Sequence, residues 1–237
     1  MLGRLRERVF YGWFMVAAGF GVQFMTGGLM NQAYGAYVVL LREDFGWSKT
    51  SLSAAFSLAR FESGLLGPIE GWLIDRFGPR AVMRIGLLIF AGGFFMFSQI
   101  NSIATFYMAF VMMALGSSLS GFLPLTVAVV NWFRRRRATA LAVMQTGFSF
   151  GGLSIPIVVF GLETLGWRGM AMLSGAIVLG VGFPLSQIIR HRPEDMGLRV
   201  DGAEEPVDAA AAAREQEDEP IDFSAREAIR TPAFWLI

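Results

Sequence analysis

The chain has no cysteine and a single histidine, His191, among 237 residues. That removes disulfide frameworks, thiol chemistry, iron–sulfur clusters and His/Cys metal sites, so neither a metal nor another cofactor is expected. Charge is scarce too: 16% of the residues are Asp, Glu, Lys or Arg and the net charge is +1, so no electrostatic footprint for nucleic acid exists. A His/Asp pair and a metal constellation are also missing, which leaves an enzyme without its chemistry. What fills the chain instead is apolar. Hydrophobic residues make up 54%, with 22 Phe and 13 Met, and the mean hydropathy is +0.51. This is the composition of an integral membrane protein.

A helix needs about 20 apolar residues to cross the hydrocarbon. Six segments reach that length: about 10–41, 50–74, 81–100, 103–133, 139–162 and 168–189. The first continues to Leu41, far past the length of a cleaved secretory signal. It and the fourth exceed the bilayer need, and Gly27, Gly28, Gly121 and Pro124 inside them suggest local bends. One side of this array carries Arg4, Arg6, Arg8, Arg76, Arg80, Arg84, Arg134 to Arg137, Arg190 and Arg192; the other carries Arg42, Lys49 and Arg168. Twelve against three places the first side in the cytoplasm, together with residues 1–9 and 190–231, in a multi-pass protein of the plasma membrane.

Composition changes after Arg192. Residues 190–231 hold Pro, Gly, an Ala run and many acids with no apolar face, as a cytoplasmic linker does. Pro232 then opens an apolar stretch, 232–237, that reads as the start of a seventh helix, so the chain is expected to be a fragment of a longer protein.

Between the second and third segments stands GWLIDRFGPR. Gly78 and Pro79 suit a tight turn followed by a helix start, and Asp75 can face a helix N-terminus. Gly71, Asp75, Arg76, Gly78 and Arg80 resemble the G-x-x-x-D-R-x-G-x-R loop between the second and third helices of the major facilitator superfamily. NWFRRRRATALAVMQTGFSFG resembles the fifth-helix start of its monocarboxylate-transporter-like branch, through Phe133, Arg136, Arg137, Ala140, Gly147 and Gly151. Tyr11–Gly12–Trp13, RPEDMGL and AREAIRTPAFW are similar to the same branch. The resemblance implies an all-α membrane fold of two six-helix halves, of which this chain is the N-terminal one, and a secondary carrier working by alternating access. The expected cargo is a small organic anion such as a monocarboxylate. The expected partners are the lipid bilayer and a second six-helix half, either the rest of the same protein or another chain. In the family the Asp and Arg of this loop help clasp that second half. Two departures stand out: MNQAYGAY lacks the Lys that proton-coupled monocarboxylate carriers place in the first helix, and the Gly-Pro pair of antiporters is not reproduced.

The resemblance puts the cavity between the halves, lined by the first and fourth helices. Polar residues there are Gln23, Thr26, Asn31, Gln32, Tyr34 and Tyr37, then Ser117, Ser118 and Ser120. Of these, Asn31, Gln32, Tyr34 and Ser117 are candidate substrate contacts. In the second segment Ser53, Ser57, Arg60, Gly64, Gly67 and Gly71 recur on one helical face. Arg60 lies about 14 Å along the helix from Ser51, near the bilayer middle, where a cation is costly unless it faces a cavity or partner. Its fork fits a carboxylate, so Arg60 is the leading substrate-binding candidate. Glu62 points roughly 200° away from Arg60 and cannot be its same-face partner. A membrane carboxylate without a cation is a candidate proton carrier. Glu70 is expected to join the Asp75–Arg76 cluster, and His191 to lie exposed. The competing reading is a truncated or self-pairing membrane module that does not transport.

Overall fold

The computed structural model describes residues 10–202, with the side chains of all of them except 60–65. Segments 1–9 and 203–237, and the side chains of Arg60 and Glu62, lie outside the described residues. Among the described residues every regular element is helical.

Helix α1, Tyr11–Thr26, passes into a wider π turn at Gly27–Gln32 and continues as α2, Tyr34–Phe45. Gly46 ends it at φ 69°, a conformation a side chain disfavours. Helix α3, Lys49–Phe77, starts at Ser48, whose Oγ accepts the Ser51 amide at 3.0 Å. Gly78, at φ 78°, turns the chain into α4, Pro79–Phe97, with proline at its first position. Ser102 and Thr105 form a capping box for α5, Ile103–Ser120. Gly121 breaks the helix before α6, Phe122–Trp132. Helix α7, Arg137–Phe150, tightens into a 3₁₀ turn at Gly151–Ser154 and leads into α8, Ile155–Ile177. A second π turn, Val178–Gly182, joins α8 to α9, Phe183–Ile188.

Among the described residues, four stretches are long and apolar enough to cross a membrane: Tyr11–Phe45, Pro79–Phe97, Ile103–Trp132 and Arg137–Ile188. The last, 52 residues long, takes in both the fifth and the sixth expected segments, and its α8 is interrupted by Gly166 at φ 69°. Helix α3, the second expected segment, has 29 residues and carries Arg60, Glu62 and Glu70 along its length. The bends expected in the first and fourth segments are the π turn at Gly27–Gln32 and the break at Gly121.

Where two helices are both surrounded by apolar material, close packing rather than water release holds them together, and small residues permit it. Helices α4 and α5 pack this way. A Cβ on Gly86 would sit 2.7 Å from the backbone of Leu119 and Ser120, and one on Gly116 would enter the Phe90 backbone. Phe90 and Phe94, 0% and 1% exposed, fill the seam around them. Helices α1 and α7 form the second seam, through Gly27 against the Phe148 carbonyl and Gly147 against the Phe20 carbonyl.

The two ends of the bundle are built differently. At one, Phe45 stacks on Trp47 at 4.3 Å, Trp167 Nε1 donates to Asp44, and Arg168 donates to the Ser98 carbonyl at 3.0 Å. At the other, Phe10, Tyr11, Trp13, Trp132 and Phe133 cluster, and the arginines gather. There the chain after α9 folds back: Asp201 accepts the Arg134 and Arg135 amides at 3.0 and 2.7 Å, and Asn131 donates to the His191 carbonyl at 3.2 Å.

Candidate functional site

A cavity of about 690 Å³ opens among α1, α3, α5, α6 and α7. That size suits a small-molecule ligand. Helices α4, α8 and α9 contribute nothing to its lining. Its polar groups come from broken or charged helices. Gln23 and Thr26 come from the end of α1 and Asn31 from the π turn. Glu70 comes from α3, Ser117 and Ser118 from the end of α5, and Gln145 from α7. Met30, Phe56, Ala59, Ala114, Phe122 and Phe148 supply apolar wall.

The local chemistry explains why these groups tolerate the middle of a membrane protein. Gln23 Nε2 donates to Gln145 Oε1, tying α1 to α7 across the wall. Thr26 Oγ1 donates back to the Val22 and Gln23 carbonyls at 3.1 Å each, the usual way a helical threonine satisfies itself. Asn31 Nδ2 reaches the Thr26 carbonyl at 3.3 Å, across the turn that the π winding opens. Among the described residues no hydrogen bond is seen for the hydroxyls of Ser117 and Ser118, which stand where α5 stops at Gly121.

Among the described residues, Glu70 is the one titratable group on the lining. It is 5% exposed, and its Oε1 is buried with no hydrogen-bond partner. The expected grouping with Asp75 and Arg76 does not occur. Asp75 and Arg76 are exposed, and the Arg76 guanidinium lies over the Trp72 and Phe77 rings at 5.5 and 5.8 Å. Helix α3 runs unbroken from Glu70 to Phe77, so five residues of winding turn Glu70 about 140° from Asp75 and into the bundle.

The other sequence candidates divide. Asn31 and Ser117 lie together on the cavity wall. Gln32 does not: its Nε2 donates to the Phe148 and Ser149 carbonyls at 2.9 and 3.3 Å, holding the π turn of the first segment on the end of α7. Tyr34 donates to the Leu52 carbonyl and packs on Phe56 and Phe110, so it ties α2 to α3. Ser120, fully buried, returns its proton to the Gly116 carbonyl at 2.7 Å. On α3, Gly67 borders the cavity, and open space surrounds both it and Gly71. The loop positions Gly71, Asp75, Arg76, Gly78 and Arg80 stand at the arginine-rich end. His191, expected to be exposed, is instead half-buried near Gly78. The wall residue that sequence reasoning missed is Gln145; an isolated amide within an apolar helix is the signal that marks it.

An all-α membrane protein with a polar-dotted cavity walled by interrupted helices is the class these features define. The Major Facilitator Superfamily model matches residues 8–237, and the chain belongs to that family. Members are transporters, so it is not an enzyme. It is similar to the probable hexose phosphate transport protein of Chlamydia pneumoniae, 28% identical over 81% of this chain and 41% of that protein. It is also similar to monocarboxylate transporter 11 of Mus musculus, 28% identical over 71% of this chain and 38% of that protein. With monocarboxylate transporter 7 of Homo sapiens it shares 27% identity over 72% of this chain and 33% of that protein. The chain thus spans about two-fifths or less of the length of these curated relatives.

Proposed function

We propose that this chain forms the N-terminal half of a secondary active transporter for a small organic anion, with six crossings and the arginine-rich end in the cytoplasm. The observation that carries the proposal is the cavity of about 690 Å³ walled by α1, α3, α5, α6 and α7, because it offers a small polar solute a place inside the membrane protein. Rocking of this half against a second one would expose that place to each side in turn. Relatives named for monocarboxylates and for hexose phosphate share an anionic cargo, and the proposal takes that common feature.

Arg60 is assigned the anion. Its backbone stands on α3 next to Ala59, a wall residue, within the span that borders the cavity. A proton accompanying the anion needs an acid, and of the three on α3 the candidates are Glu62 and the wall residue Glu70, since Asp75 is exposed. The test is uptake of labelled pyruvate by the full-length protein in proteoliposomes. Arg60→Lys, which keeps the charge and loses the fork, is expected to raise the half-saturating concentration at least about tenfold. Unchanged affinity removes Arg60 from the site. In the same assay, pH dependence that survives both Glu62→Gln and Glu70→Gln removes proton coupling through α3.

A further inference from the structure

The arginine-rich end contains a cluster that the cavity does not use. Arg80 and Arg84 of α4 both donate to Gln187 Oε1 of α9, Arg80 at 3.0 Å. Two guanidinium groups thus meet on one neutral amide oxygen, and a third, that of Arg190 just past α9, lies within electrostatic reach of Arg80. The Nε atoms of Arg80, Arg84 and Arg190 and the Nδ1 of the neighbouring His191 are all buried without a hydrogen-bond partner. Among the described residues no carboxylate pairs with any of the three arginines. Guanidinium groups do not shed their protons, so this concentration of buried, unanswered donors calls for an anion.

Position identifies its chemistry. Neither α4 nor α9 lines the cavity, so the cluster lies outside it. One turn along α4 from Arg84, Leu88 is 53% exposed and Ile85 is 54% exposed, and Val181, in the π turn that leads into α9, is 49% exposed. Apolar surface open on one side and arginines gathered above it describe the lipid–water boundary, where phosphate is the common anion. We propose that Arg80, Arg84 and Arg190 form a binding site for a phosphate-type anion, with Gln187 holding the first two guanidinium groups in place for it. The headgroup of an acidic phospholipid and free inorganic phosphate share that chemistry.

The test uses the full-length protein, purified in detergent and exchanged into nanodiscs of mixed phosphatidylglycerol and phosphatidylcholine, with the annular lipid quantified by mass spectrometry after washing. Wild-type protein is expected to retain phosphatidylglycerol about tenfold over its share of the mixture. Arg80→Gln/Arg84→Gln, and separately Arg190→Gln in case the double variant fails to fold, are expected to bring retention close to the mixture ratio. Arg135→Gln/Arg136→Gln, which alters exposed arginines of the same end, is expected to leave it unchanged. Millimolar inorganic phosphate that displaces the lipid shows that the site accepts the free anion as well; failure to displace it assigns the lipid headgroup alone. The proposal is overturned if retention is unselective in the wild type, if the cluster variants retain the lipid as the wild type does, or if the exposed-arginine control loses it equally.

Discussion

The two helix seams of this protein are built to the same end by opposite means. The α4/α5 seam is continuous: regular helices, glycines at Gly86 and Gly116, phenylalanines around them, and no polar side chain spanning it. The α1/α7 seam is broken. Opposite one another on it stand the π turn Gly27–Gln32 and the 3₁₀ turn Gly151–Ser154, stitched by Gln32 and by the Gln23–Gln145 pair, and the cavity opens beside it. Close packing gains most from regularity, and a continuous seam commits every backbone group to its own helix. A broken seam frees backbone carbonyls and redirects polar side chains, which membrane proteins tolerate where a cavity is bordered. One seam is therefore a strut. The other is the wall of a site.

That contrast can be broken by substitution. Gly116→Leu should do the most damage, because its side chain would enter the Phe90 backbone in the continuous seam. Overpacking of that kind costs about 1–3 kcal/mol or more, enough to remove folded protein as judged by size-exclusion profile and thermal melting. Gly151→Val is the matching change in the broken seam, with a Cβ 2.5 Å from the Gly28 amide nitrogen. Its expected signature differs: folded protein is recovered at reduced melting temperature, while uptake falls by more than about tenfold, since the turn carrying Asn31 is displaced. If Gly116→Leu is tolerated and Gly151→Val unfolds the protein, the assignment of strut and wall is reversed. Gln145→Leu is the smallest perturbation. It leaves Gln23 without its partner, a loss of about 1 kcal/mol for a membrane hydrogen bond, and should lower uptake severalfold with little change in melting.

Much of the strut and part of the wall can be read from the sequence, and the difference has a physical cause. Local chemistry announces itself: Gly78 before Pro79 marks a turn and helix start that the structure adopts. The bends at Gly27 and Gly121 follow from glycine inside over-long helices. Glu70 was harder. Its neighbours in the chain belong to the exposed loop motif, and the helical phase, which turns it inward, depends on α3 continuing unbroken to Phe77. Gln32 and Tyr34 have the residue types of ligand contacts, yet their partners, the Phe148 and Leu52 carbonyls, are supplied by other helices. The Gln23–Gln145 pair and the Arg80–Gln187–Arg84 contact join residues more than a hundred positions apart. Counting arginines by side of the membrane reveals orientation but not which of them converge.

Residues 1–237 have no cysteine, so a thiol can be placed at will in this half, with any cysteine beyond residue 237 of the full-length protein replaced by serine. Ser117→Cys puts a thiol on the cavity wall, and Ile157→Cys puts one on α8, 72% exposed and away from the cavity. Labelled-pyruvate uptake by the full-length protein, measured before and after reaction with a bulky maleimide, asks whether the cavity lies on the transport path. Modification at position 117 is expected to abolish uptake, and modification at position 157 to leave it intact. Full uptake with the position 117 thiol stoichiometrically modified would contradict this.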